Sequence, residues 1–85
     1  MVTREVNVRS TAGLHARPAT LLVKTASTFK SSVEIEYKGK KVDGKKLIGI
    51  LSLGAGNGDK VKLTVTGDDE EKAINELIKV IENVE

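Results

Sequence analysis

Apolar residues at Val2, Val6 and Val8 are separated by polar ones at Thr3, Glu5 and Asn7. That period of two predicts a strand with one face buried. Ser10-Thr11-Ala12-Gly13 breaks the pattern, and a period near 3.6 replaces it through Ala16, Ala19, Leu22/Val23, Ala26 and Phe29/Lys30. Pro18 falls in the first turn of this expected helix, where a missing N–H removes no hydrogen bond. Alternation returns at Val33, Ile35 and Tyr37, followed by a tight return at Lys38-Gly39-Lys40 into a short strand around Lys41-Val42.

Leu47-Ile48-Gly49-Ile50-Leu51-Ser52-Leu53 is apolar enough to be a buried strand or a short helix, and periodicity alone does not separate the two. Asp43 as a cap and Gly54 as a terminator favour a helix of about two turns. Gly54 to Asp59 reads as a loop, and Val61, Leu63 and Val65 mark a fourth strand. A last helix carries its apolar face on Ala73, Ile74, Leu77, Ile78, Ile81 and Val84, with Asp68 and Glu71 spaced as a capping box.

The expected order is βαββαβα. The architecture is α+β, an open-faced β-sandwich whose four-stranded antiparallel sheet is covered on one face by three helices. At 85 residues the chain makes one domain, 1–85, without an internal repeat or linker. A chain of this size buries only about 60–65% of its unfolded surface, so it has little room to enclose a substrate. Chemistry is expected at the surface, with partners docked against it.

Composition narrows the chemistry. With no cysteine, disulfides, thiolate metal sites and cysteine nucleophiles are excluded, and with a single histidine besides no metal or cofactor is expected. The amino terminus lacks a signal-peptide core and no run reaches the length of a membrane span, so a cytoplasmic protein without membrane insertion is expected. A net charge of +2 names no partner. Its distribution says more: lysines crowd Lys38 to Lys46, whereas Asp68 to Glu71 is wholly acidic. Solvated surface and helix capping account for such runs as readily as a partner does.

His15, the lone histidine, falls where the first loop enters the first helix. A residue there lies beside the free N–H groups of Ala16 and Arg17 and the positive end of the helix dipole. That setting suits an anion and disfavours the imidazolium, leaving a neutral, nucleophilic ring near pH 7. Arg17 adds a forked donor for phosphoryl oxygens. Gly13 permits the turn that brings His15 to the surface, and Pro18 fixes the helix entry. On these grounds alone the site is an anion site, and a lone histidine before a helix is more often a polar capping residue.

Gly13-Leu14-His15-Ala16-Arg17-Pro18-Ala19-Thr20 resembles the active-site signature of the histidine-containing phosphocarrier protein family (HPr) of the bacterial phosphoenolpyruvate-dependent phosphotransferase system. The likeness continues through Val23, Thr25-Ala26-Ser27, Phe29 and Glu36-Tyr37-Lys38-Gly39-Lys40, then Leu47 to Gly54, and spans nearly the whole chain without insertions. It implies an open-faced sandwich of the same topology. It also implies that His15 takes a phosphoryl group on Nδ1 from Enzyme I and passes it to the A domains of sugar-specific transporters, assisted by Arg17. The chain is then a monomeric relay and not a stand-alone catalyst.

The resemblance further implies that exposed members of Leu47, Ile48 and Leu51 form a patch that partners cover. Thr20, Lys24, Lys45, Lys46 and Ser52 are expected around it. Lysines rimming a small apolar patch suit a transient, acidic partner. One departure stands out: many family members carry a regulatory serine just before the apolar run, and here that position is Lys46. Without a hydroxyl that mode of control is expected to be missing, which leaves a nitrogen-regulatory phosphocarrier as a competing role.

Gly54-Ala55-Gly56-Asn57-Gly58 lacks both the strand-to-helix context of a dinucleotide loop and the Lys-Ser/Thr of a P-loop, and reads as a turn. A βαββαβ order also suits RNA-binding modules. Such modules stack bases on strand aromatics, and this chain has only Phe29 and Tyr37, so no nucleic-acid partner is expected.

Overall fold

The alternating segments become strands because each can turn one apolar row onto a common core. A computed structural model describes residues 1–9, 13 and 16–83, excluding the side chain of Asn83. Its elements are β1 (Val2–Asn7), α1 (Ala16–Ser27), β2 (Ser32–Tyr37), β3 (Lys40–Asp43), α2 (Leu47–Leu53), β4 (Lys60–Thr66) and α3 (Glu70–Asn83). The βαββαβα order is the one expected, and the ambiguous apolar run is helical.

The sheet runs β1-β4-β2-β3, each neighbour antiparallel. β4, the last strand in sequence, is thus inserted between β1 and β2, the split arrangement of a βαβ unit. Val6, Val33, Ile35, Val61, Leu63 and Val65 point from the sheet into the core. Leu22 and Ala26 of α1, Ile50 and Leu53 of α2, and Ala73, Ile74, Leu77 and Ile81 of α3 meet them there. Burying each large aliphatic chain contributes about 1.5–3 kcal/mol. Ile78 is half-buried at the edge of that core, and Val84 lies outside the described residues.

The other face of the sheet is polar. Glu5, Lys62, Glu36 and Lys41 stand opposite one another across all four strands, a row of alternating charge. β2 returns into β3 through Lys38 and Gly39, with φ of 51° and 83°, while Tyr37 pairs with Lys40. Positive φ at both positions is the two-residue turn whose twist matches the strands.

Both caps read from acidic residues are placed differently. Gly54 does terminate α2, with φ of 69°, but the N-cap of that helix is Lys46, which makes no side-chain capping bond. Asp43 instead accepts the Lys45 N–H at 2.8 Å, tightening the turn ahead of the helix. At α3 the box is shifted by one residue: Glu70 Oε1 accepts the Gly67 N–H at 3.0 Å, rather than Glu71 serving Asp68. The acidic run is displaced because Asp69 is recruited elsewhere. Its carboxylate accepts the N–H groups of Lys30 and Ser31, each at 3.0 Å, and the buried Ser31 hydroxyl.

That bridge ties the start of α3 to the α1–β2 connection. The Ser31 hydroxyl, followed by the Lys30 N–H, holds Asp69 below its ordinary pKa of 3.8. A depressed carboxylate contributes stability that is fully present above its ordinary pKa and is lost as pH falls through the lowered value. Ser31→Ala should therefore melt earlier at pH 7 and lose proportionately less between pH 4 and pH 2. Thermal melts across that range test this; a parallel acid loss in both proteins would exclude Asp69 as the titrating group.

Candidate functional site

Antiparallel pairing determines which loops lie side by side. Asn7 at the end of β1 pairs with Lys60 at the start of β4, so the loop leaving β1 and the loop entering β4 emerge at one end of the sheet. Three backbone bonds fasten that exit. Val8 N–H donates to the Asp59 carbonyl at 2.8 Å, Gly58 N–H to the Val8 carbonyl at 2.7 Å, and Arg9 N–H to the Ile81 carbonyl at 3.3 Å.

His15 and Leu14 lie outside the described residues, as do Ser10, Thr11 and Ala12. The frame on either side of them is defined. Gly13 is buried and adopts φ of 78°, a region that any other residue occupies only with strain. It sits so close to the Ala55–Gly56 peptide that a Cβ there would overlap the Ala55 carbonyl oxygen and lie 2.7 Å from Gly56 Cα. The glycine-rich segment read as a mere turn is therefore the seat on which Gly13 rests. Sequence reasoning missed this role because the two segments are more than forty residues apart.

On the other side, α1 begins at Ala16, immediately after His15. Ala16 and Arg17 are exposed, and Pro18 is buried. Proline carries no N–H, so the amides of Ala16 and Arg17 are the ones left to serve an anion in this first turn. α1 is three turns long and has no acidic residue in its first turn, so no side-chain charge opposes the dipole there.

α1 packs against α2, and the expected docking residues divide on that pair of helices. Ile48 is 78% exposed, whereas Leu47 and Leu51 are half-buried and packed on the core. Leu21 is also 42% exposed. Sequence reasoning passed over it, although its position off the Ala19–Leu22–Ala26 face was a usable signal. Lys24 and Lys46 are exposed. Lys45 is partly committed: its ammonium donates to the Phe29 carbonyl at 3.0 Å, just beyond the end of α1. Thr20 and Ser52 are exposed, with hydroxyls bonded back to the Ala16 and Gly49 carbonyls at 2.6 Å. Lys40 reaches the Ser52 carbonyl at 3.3 Å and so brings one more cation to the end of α2.

Among the described residues no group of acidic or histidine side chains could hold a metal ion, and no helix is long and apolar enough to cross a membrane.

Comparison with known proteins bears directly on this arrangement. The family model described as "PTS HPr component phosphorylation site" matches residues 2–83. The HPr-like protein Crh of Halalkalibacterium halodurans is 44% identical over 82 residues, covering 96% of this chain and 98% of that protein. HPr of Thermoanaerobacter tengcongensis superposes with a TM-score of 0.92 at 48% identity, over 96% of this chain and 92% of its own. A dimer of that HPr gives 0.76 at 49% identity, over 91% and 88% of the two chains. The phosphocarrier protein HPr of Bacillus anthracis gives 0.91 at 39% identity, over 94% and 95%. With the motif and strand order in place and the match spanning residues 2–83, the chain belongs to the HPr family of phosphocarrier proteins of the phosphotransferase system.

Proposed function

We propose that this chain is a phosphoryl relay for sugar uptake, taking a phosphoryl group from phospho-Enzyme I on His15 and delivering it to the A domains of sugar-specific transporters. The observation that carries this reading is the position of the lone histidine directly before α1, within the family's phosphorylation-site motif. The Nδ1 lone pair attacks phosphorus as the donor's bond to phosphorus breaks. The P–N bond so formed is broken in turn when the acceptor attacks, and no other group need change.

Several features support that exchange. A helix N-terminus disfavours protonation of an adjacent imidazole, which keeps the nucleophile available. The same dipole, the amides of Ala16 and Arg17 and the Arg17 guanidinium then favour the added negative charge. Gly13 and Pro18 hold the two ends of the segment in place. Because the P–N bond is labile, the cargo remains transferable.

Partners would dock over α1 and α2, with Ile48 as the protruding contact, Leu47 and Leu51 beneath it, and Thr20, Lys24, Lys46 and Ser52 at the rim. Lys45 would contribute chiefly by holding α1 to the start of α2. The relay works as a cytoplasmic monomer in this reading, although HPr of Thermoanaerobacter tengcongensis and Crh of Bacillus subtilis have each been solved as a dimer. Charge reversal separates steering from structure: the pair Lys24→Glu and Lys46→Glu should slow association with Enzyme I roughly tenfold at low ionic strength. The difference should shrink as salt rises and melting should barely change. Association rates that stay equal at low salt would discard steering by these lysines.

A regulatory role is the second reading, favoured by the likeness to Crh, described in Bacillus subtilis as the catabolite repression HPr. Lys46 weighs against control by serine phosphorylation at the start of α2, since that position offers no hydroxyl. Enzyme I and phosphoenolpyruvate decide between them: a relay acquires one acid-labile phosphoryl group and yields it to an A domain, whereas a purely regulatory protein yields it to none.

A further inference from the structure

A single carboxylate oxygen ties three parts of the fold together. Asp59 Oδ2 accepts the Tyr37 hydroxyl at 2.6 Å and the Gly56 N–H at 2.8 Å. Tyr37 ends β2, and Glu36 before it pairs with Lys62 near the start of β4, so Tyr37 lies at the end of the sheet where β1 exits and β4 enters. Asp59 also closes the turn through its own N–H, which donates to the Gly56 carbonyl at 3.0 Å, while its carbonyl receives the Val8 N–H. Gly56 is half of the peptide against which Gly13 rests. The contacts therefore run from Tyr37 through Asp59 and Gly56 to Gly13, two residues before His15.

From this geometry we infer that Tyr37 and Asp59 are positioning residues for phosphoryl acceptance: they fix the seat of the Gly13 loop and thereby the placement of the imidazole. The inference rests on the relay reading above. Both donors converge on one carboxylate oxygen, so the geometry of the turn under Gly13 depends on the Tyr37–Asp59 pair. The arrangement is polar and half-buried, where a lost partner leaves the other without its bond. Displacing a reacting group by about 1 Å can slow a transfer up to a hundredfold, so a small shift in the seat is sufficient to register.

The test compares Asp59→Ala, Asp59→Asn and Tyr37→Phe with the unaltered chain, well below every melting temperature. The readouts are the rate of phosphoryl uptake from phospho-Enzyme I and the NMR resonances of the lone imidazole without donor. Asp59→Ala should slow uptake about tenfold and shift the imidazole resonances. Tyr37→Phe, which removes one of the two bonds, should do so less, and Asp59→Asn, which keeps an acceptor oxygen, should recover most of the rate. Ile35→Val, in the centre of the sheet, serves as the control for lost stability. Unchanged resonances in both Asp59→Ala and Tyr37→Phe, or slowing no greater than a stability-matched control, would overturn the inference. If the unaltered chain accepts no phosphoryl group, the relay reading fails instead, and the imidazole resonances still judge the positioning on their own.

Discussion

His15→Ala is expected to take up no acid-labile phosphoryl group from Enzyme I and phosphoenolpyruvate, where the unaltered chain takes one. The effect should be total, not graded, because the sequence holds no second imidazole to substitute for the first. Lability identifies the bond. A phosphoryl group on ring nitrogen is lost in acid, whereas a serine, threonine or tyrosine ester survives it, so acid treatment before mass measurement distinguishes the two. Phosphate retained by the alanine variant would refute the assignment to His15. Arg17→Ala sharpens the result: Arg17 is exposed in the first turn of α1, so its loss should slow transfer with little change in melting. A change confined to melting temperature would make Arg17 a structural residue.

The second large effect is expected from Gly13→Ala. Two penalties coincide there. A non-glycine residue at φ of 78° is strained by about 1–3 kcal/mol. Its Cβ would also overlap the Ala55 carbonyl, and overpacking of that kind costs about 1–3 kcal/mol more. A loss of roughly 2–6 kcal/mol corresponds to a melting temperature lower by roughly 10–50 °C for a domain of this size. Gly58→Ala is the matched comparison, since φ there is 90° but nothing lies within 4 Å of the added carbon. It should show the strain alone, and the difference between the variants isolates the contact with the Ala55–Gly56 peptide. If both lose the same stability, Gly13 does not rest on that peptide as described. Phosphoryl uptake should fall in Gly13→Ala even at temperatures where it is fully folded, because the strained position is two residues before His15, the proposed acceptor.

How much of this was legible in the chain follows from the range over which each signal acts. The strands at Val33–Tyr37 and Val61–Val65 and the apolar face of α3 declare themselves through neighbours two to four residues apart. The helix at Leu47–Leu53 did not, since an apolar run satisfies either period, and flanking Gly54 had to arbitrate. Asp43 and Asp68 misled for the same local reason. An acid at capping distance scores as a cap, but Asp43 was used in the preceding turn, while Asp69, bonding Ser31 thirty-eight residues away, shifted the box at α3 to Gly67 and Glu70. At the site, the motif around His15 could be read directly, and Leu21 could have been.

By itself, then, the amino-acid sequence determined the element order, the core rows and the family motif that contains the lone histidine, because periodicity, turn residues and a contiguous motif are properties of near neighbours. Only the tertiary structure decided that Gly13 is seated on Ala55–Gly56, that Asp59 joins Tyr37 to that seat, and that Lys45 is held by Phe29 while Lys24 and Lys46 remain exposed. The first two relations depend on β4 entering the sheet between β1 and β2, which brings distant loops to one end of the sheet, and contacts made there leave no periodic trace in the chain.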